Sequence, residues 1–324
     1  MTIKILNALI AVVGGVVGAI VLYYLLNKLA ELLPGRWEDR VKPYLFLLPA
    51  FAAIGLTLIY PTIQTFVYSF ANQQATEFVG FDNYVSLLGS SNFQNTLFNT
   101  FLWILIVPAG AIAIGLLIAT LADRLKPRGE KVSKTLIFLP MAIGAVSAGA
   151  IWKFVYASNP PGQNQIGLLN GIVTGVGGEP VNWLQISDFR FNSLLLMVMF
   201  LWLQAGFAMV LLSAAIKGVP TETLEAARLD GAGEGSIFFR IVIPQIRTTL
   251  ITVFITVLIG VLKTFDIVWV LTQGGPGRNS ETLAVTMYKE TFVAGDYGYG
   301  SSVAVMLTVV AGLASYLYLR RQVR

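Results

Sequence analysis

Seven apolar runs, each long enough to cross a bilayer, leave this chain little choice of fold. They lie at about 5 to 27, 44 to 70, 97 to 122, 135 to 157, 193 to 216, 248 to 272 and 301 to 319. A helix needs roughly 20 apolar residues to traverse the hydrocarbon core. Backbone N–H and C=O groups find no water there, so such segments become helices whose hydrogen bonds are all internal. The expectation is an all-α integral membrane bundle of about seven transmembrane helices. Composition agrees: 56% of residues are hydrophobic and 12% charged, too few polar side chains to cover a soluble core of this size. The first run is longer than the apolar part of a signal peptide and shows no small-residue cleavage site, so it is read as a helix. With its linker it makes an amino-terminal segment, 1–42, ahead of a six-helix core at 43–324.

Basic residues fix the orientation, because loops rich in lysine and arginine stay on the cytoplasmic side. One set of alternate loops and ends holds Lys28, Arg36, Arg40, Lys42, Arg124, Lys126, Arg128, Lys131, Lys134, Lys217, Arg228, Arg240, Arg247, Arg320, Arg321 and Arg324. The other set holds only Lys4, Lys153, Arg190, Arg278 and Lys289, with Lys263 inside a span. The amino terminus is therefore expected outside and the carboxyl terminus in the cytoplasm. A net charge of +5 does not imply nucleic acid, since these residues sit at membrane edges rather than in one aromatic-laced patch. The chain has no cysteine and no histidine. That excludes thiolate nucleophiles, histidine acid–base chemistry and zinc sites with sulfur or nitrogen ligands. No catalytic or metal-ligating set is expected.

A polar island at about 218–246 separates the fifth and sixth runs. Its carboxylates and glycines would be stranded in hydrocarbon, so it projects into the cytoplasm. Gly218-Val219-Pro220 ends the preceding helix, Thr221 is placed to cap a short helix running to Leu229, and Asp230-Gly231-Ala232-Gly233 breaks it. A second short helix is expected over Ser236 to Ile243, before Pro244 starts the return to the membrane. The pattern puts Leu224, Ala227 and Arg228 on one side and leaves small residues where another protein can come close. An ordinary interfacial helix would show a similar pattern.

Within the island stands Glu225-Ala226-Ala227, then three residues, Gly231, nine residues, Ile241, one residue, and Ile243-Pro244. This resembles the coupling-loop signature of ABC importer permeases, with isoleucine in place of the usual leucine before the proline. Further blocks carry the resemblance from roughly Pro43 to Arg321: Pro43 to Pro49, Phe78 to Tyr84, and Leu271-Thr272-Gln273-Gly274-Gly275-Pro276. These are similar to the larger subunit of maltose-type, binding-protein-dependent importers. Ile151 to Tyr156, Ser213 to Pro220 and Leu262 to Val268 look closest to alpha-glucoside permeases, and glucosylglycerol permeases resemble the same branch. The resemblance implies a type I ABC importer permease bundle with a cytoplasmic coupling helix. It implies that Glu225, Ala226, Ala227, Arg228, Asp230 and Gly231 couple to an ATP-binding subunit, with Gly231 forming the turn. It also implies an ATP-binding subunit dimer, a second homologous permease, an extracytoplasmic solute-binding protein near Asn83 and Gly274 to Pro276, and a bacterial or archaeal plasma membrane. The chain has no phosphate-binding Gly-Lys-Ser/Thr loop. ATP and Mg²⁺ are accordingly expected on the partner, with no cofactor here.

Substrate contacts are expected in the membrane. Lys263, Thr264 and Asp266 sit in the sixth run, where charges are costly enough to need a reason. Read as one helix, Lys263 and Asp266 share a face and either pair with each other or line a hydrated cavity. Trp202, Gln204 and Phe207 on the fifth run add aromatic faces and an amide, a mixture that suits a neutral sugar. Alignment with the maltose permease places its sugar-contacting positions at Val257, Val261 and Thr264, two of them apolar here, and at Gln204 and Phe207. Two other classes fit less of this. An ion-coupled carrier needs no cytoplasmic island and usually carries an internal repeat, and a membrane enzyme needs catalytic groups gathered at one depth. An ABC importer of a non-sugar solute shares the coupling signature and stays open.

Overall fold

A computed structural model describes residues 2–322; Arg324, counted above at the inner edge, lies outside them. Among the described residues the regular structure is helical, with one isolated bridge between Ala71 and Phe78. The chain divides into two compact units, Met1–Val67 and Tyr68–Arg324.

In the first unit, α1 (Thr2–Glu31) turns at Pro34-Gly35 into α2 (Arg36–Ile54), and Tyr23 stacks on Phe46 at 5.6 Å between them. The linker is shorter than expected, since Arg36, Arg40 and Lys42 already lie in α2. A widened turn over Gly55–Ile59 leads into α3 (Tyr60–Tyr68). Pro61 has no N–H to donate one turn back, and the wider turn absorbs the missing bond. None of the α2 side chains is buried, and Leu47, Phe51 and Leu56 are exposed. Apolar exposure of this extent suits lipid rather than water.

The second unit comprises α4 (Asp82–Gly89), α5 (Ser91–Ala122), α6 (Pro127–Phe138), α7 (Ala145–Val155), α8 (Leu168–Gly175), α9 (Phe191–Lys217), α10 (Thr221–Leu229), α11 (Glu234–Ile237), α12 (Ile243–Gln245), α13 (Arg247–Leu262), α14 (Asp266–Leu271), α15 (Leu283–Tyr288) and α16 (Tyr297–Gln322). Its core is where α5, α9 and α13 meet, with Trp103, Val107 and Ala111 facing Leu196, Phe200 and Ala208 and the buried Val253, Val257 and Val261. Trp103 meets Phe200 edge-on at 5.8 Å, a favourable aromatic geometry.

Among the described residues, five helices are long and apolar enough to cross a membrane, and seven spans result if each of two bent pairs is one span. The fourth run is therefore not the straight helix expected from hydropathy; the second bend, 70° between Glu234–Gln245 and Arg247–Leu262, lies at the entry to the sixth run, which is itself interrupted further along. In the fourth, α6 ends at Phe138, Leu139–Ala142 form a tight turn around Pro140, and Ile143 and Gly144 are extended before α7 leaves at 105°. In the sixth, α13 stops at Leu262, and Lys263, Thr264 and Phe265 intervene before α14 begins at Asp266. Lys263 and Asp266 thus do not share a continuous helical face, and no ion pair joins them among the described residues.

Candidate functional site

The two breaks meet. Met141, Ile143 and Ala145 from the fourth run, Phe200, Leu203 and Gln204 from α9, and Gly260 with Lys263 to Ile267 from the sixth enclose a cavity of about 260 Å³. Four residues expected to contact substrate, Gln204, Lys263, Thr264 and Asp266, are brought together here. Lys263 and Asp266 are exposed while Thr264 is buried. The side chains of Gln204, Lys263 and Asp266 have no hydrogen-bond or ion-pair partner among the described residues. Thr264 Oγ1 donates to the Gly260 carbonyl at 3.1 Å and keeps its lone pairs for an incoming donor. The arrangement offers an ammonium, a carboxylate, a carboxamide and a hydroxyl beside the rings of Phe200 and Phe265. Such a set can bond a hydroxyl-rich solute and stack on its apolar faces.

Trp202 and Phe207 lie elsewhere. Successive helical residues rotate by 100°, so Trp202 stands about 200° from Gln204; it packs on Trp152 at 5.8 Å in a separate groove with Leu136 and Pro140. Phe207 is packed against the core one turn further along α9. Val257 and Val261 are buried in the core, and neither lines the cavity. The elbow residues Met141, Ile143 and Ala145 also line the cavity, beyond those expected from the sequence. Their signal in the sequence is the Pro140 and Gly144 pair interrupting an apolar run.

The island folds as α10, α11, a widened turn at Phe238–Val242, and α12. Thr221 does not cap α10: Pro220 occupies the cap position in an extended conformation, and Thr221 is the first helical residue. The other end closes in a left-handed turn. Ala232 N–H bonds the Ala227 carbonyl and Gly231 N–H bonds the Arg228 carbonyl, each at 3.0 Å, with Gly231 at φ +80°. This is the Schellman arrangement, which glycine favours because it has no Cβ to clash. Leu224 and Ala227 rest on the bundle core, while Glu222, Glu225, Ala226, Leu229 and Asp230 are exposed. Leu229 is 89% exposed, so α10 presents a leucine and a carboxylate four residues apart on one outward face. Arg228, expected on the same side as Leu224 and Ala227, is exposed and bonds Glu234 at 2.8 Å, which raises its pKa above the ordinary value.

Where α10 joins α9, a charge cluster binds three helices. Lys134 Nζ of α6 donates to Asp123 Oδ1 at 2.7 Å, to Glu130 Oε1 at 2.6 Å and to Ser213 Oγ of α9, and Lys217 at the end of α9 donates to Glu130. Ser213 Oγ also donates to Asp123 at 3.1 Å. On the opposite side of the unit, Asn83 Nδ2 bonds the carbonyls of Ser69 at 3.0 Å and Ala71 at 2.7 Å. Its amide holds its own loop together.

Residues 111–324 match the family described as binding-protein-dependent transport system inner membrane component. The alpha-glucoside transport system permease protein of Rhizobium meliloti is 44% identical over 276 residues, covering 85% of this chain and 80% of that protein. The osmoprotective compounds uptake permease protein of Synechocystis is 45% identical over 266 residues, 82% of this chain and 93% of that protein. A solved bacterial ABC transporter involved in import of the acidic polysaccharide alginate shares the fold, with a TM-score of 0.73 at 21% identity over 88% of this chain and 99% of that one. This multi-pass helical bundle is thus matched along most of its length, and the chain belongs to the inner membrane component family of binding-protein-dependent transport systems.

Proposed function

We propose that this permease imports a neutral sugar or glycoside, of the alpha-glucoside, disaccharide or glucosylglycerol kind, by alternating access driven by ATP hydrolysis on a partner. The observation that carries the proposal is the cavity at the two helix breaks, where Gln204, Lys263 and Asp266 present polar groups with no partner of their own. Lys263 and Asp266 are exposed and Gln204 is half-buried, so all three stay open to the hydroxyls of an incoming solute. Lys263 and Asp266 contribute opposite charges, so the site carries no net charge that would select a solute of one sign. The relatives named for alpha-glucosides and for osmoprotective compounds support the same class.

At about 260 Å³ the cavity is smaller than the roughly 300–1,000 Å³ of complete ligand sites. A second homologous permease facing it would complete the enclosure. An ATP-binding dimer, which supplies the ATP and Mg²⁺, would seat the outward face of α10 through Glu225, Ala226 and Leu229. Its closure would pull on α9 and open the cavity toward a solute-binding protein outside. The chain itself catalyses no reaction in this scheme. Its amino terminus lies outside a bacterial or archaeal plasma membrane and its carboxyl terminus in the cytoplasm, as the basic residues require.

The test is uptake by the reconstituted complex, with radiolabelled trehalose as the neutral probe against a labelled amino acid and phosphate. Trehalose uptake that needs the ATP-binding subunit supports the reading. Uptake that persists without that subunit, or a preference for the charged probes, overturns it.

A further inference from the structure

Thr282 stands at the N-cap of α15, the position where a threonine hydroxyl ordinarily accepts from the first turn of its own helix. It makes no such bond. Its Oγ1 instead donates across 18 residues of chain to the Thr264 carbonyl at 3.1 Å, in the middle of the break between α13 and α14. Leu283 N–H at the start of α15 is satisfied by Thr100 Oγ1 of α5 at 3.1 Å, so the helix is capped from outside and the Thr282 hydroxyl is free for the break. Both Thr264 and Thr282 are buried, at 5% and 4% exposure. A helix that stops leaves its last carbonyls without intrahelical donors, and a buried carbonyl without a donor is unfavourable.

The residue that follows Thr264 returns the chain to α14, and the residue that precedes it is Lys263. The bond from Thr282 therefore holds the segment that projects both cavity charges. Its own backbone is held in turn. The adjacent Glu281 is fully buried, bonded by Lys289 Nζ at 3.0 Å and Thr286 Oγ1 at 2.8 Å, while Asn99 Nδ2 bonds the Glu281 carbonyl at 3.0 Å.

We infer that Thr282 is a positioning residue for solute recognition: its hydroxyl fixes the α13–α14 break so that Lys263 and Asp266 face the cavity. The inference rests on the cavity being the solute site. With the hydroxyl removed, the Thr264 carbonyl is left to find a donor by refolding the break, and the two charges turn away from their working positions.

The experiment compares Thr282→Val, which keeps the shape and removes the donor, with Thr282→Ser, which keeps the donor, in the full reconstituted complex. Thr282→Val is expected to raise the KM for radiolabelled trehalose about tenfold, the effect of losing roughly one hydrogen bond's worth of orientation, with Vmax little changed. Thr282→Ser should restore the wild-type KM. Thr100→Val removes the cap on α15 and the bond from Thr100 Oγ1 to the Thr96 carbonyl but leaves the Thr282 donor in place, and is expected to lower thermal stability while leaving KM alone. A second readout needs no solute. The chain has no cysteine, so Lys263→Cys carries a unique thiol, and Thr282→Val should change its rate of labelling by a membrane-impermeant thiol reagent several-fold, whereas Thr282→Ser should not. Unchanged labelling and unchanged KM in Thr282→Val overturn the positioning role, as does a loss shared equally by the valine and serine variants. If labelling changes while Gln204→Ala and Asp266→Ala leave uptake untouched, Thr282 positions the break as inferred, and it is the cavity's assignment to the solute that fails.

Discussion

Gly231 tests the coupling loop most directly, because its demand is purely conformational. Its φ of +80° is set by the two hydrogen bonds that close α10, and a Cβ built there meets nothing within 4 Å. Any cost of substitution is therefore backbone strain and not a clash. An L-residue held in the left-handed region costs about 1–2 kcal/mol, less for asparagine and more for a β-branched side chain. One to two kcal/mol shifts a local equilibrium by a factor of roughly 5 to 30. The last turn of α10, which carries Ala227 and Arg228, would then open for a substantial fraction of the time. The expected order of substrate-stimulated ATP hydrolysis in the reconstituted complex is Gly231 above Gly231→Asn, above Gly231→Ala, above Gly231→Val. The loop is exposed, so the melting temperature of the bundle should hardly move. Equal activity across the series, or a loss that follows side-chain volume and not left-handed propensity, would show that the turn's geometry is not what the partner reads.

Two further pairs of changes probe the cavity and the path. Gln204→Ala and Asp266→Ala should each raise the KM for trehalose by about tenfold with assembly intact, since a hydrogen bond to a charged or amide group contributes on the order of 1–3 kcal/mol; unchanged kinetics in both would remove the cavity from the transport path. Lys217→Glu and Glu130→Lys should each lower coupled ATP hydrolysis by breaking the bond between the end of α9 and α6, and the double exchange should recover part of it; a double variant no better than either single one would leave the cluster without a coupling role.

How much of this was legible depends on whether a local residue or a distant one sets each feature. The bounds of α10 are local: Pro220 cannot continue α9 and Gly231 closes the far end, so Thr221 to Leu229 was readable directly. The cap itself was misassigned because Pro220 takes the extended position that a capping threonine needs. The break after Leu262 was not legible. Lys263 and Thr264 carry no glycine or proline signal, and the donor that stabilises the interruption comes from Thr282. Gln204 and Trp202 were grouped by proximity in sequence although helical rotation places them on opposing sides. The elbow at Met141 to Ala145 was hidden by hydropathy, which averages over Pro140 and Gly144.

The two breaks divide the unit in a way that bears on how the cavity opens. The halves on the coupling side belong to the core or are tied to it: α13 packs on α5 and α9, and α6 is bound to α9 by the Lys134 and Lys217 cluster. The halves beyond the breaks, α7 and α14, pack chiefly on each other, with lighter contact of α14 on α9. Their contact is close at Gly149, where a Cβ would stand 2.8 Å from Val270 Cγ1. In the proposed mechanism a movement received at α10 would pass up α9 into the first group, and the cavity lies where that group meets the second. Bulk at Gly149 should therefore disturb transport without touching the coupling loop. Forcing α7 off α14 in a packed site costs about 1–3 kcal/mol. Gly149→Val is accordingly expected to lower trehalose uptake while ATP hydrolysis continues and loses its dependence on solute. If hydrolysis and uptake instead fall together, or uptake is unaffected, α7 and α14 do not act as a separate pair, and the cavity must open by some route other than at the breaks.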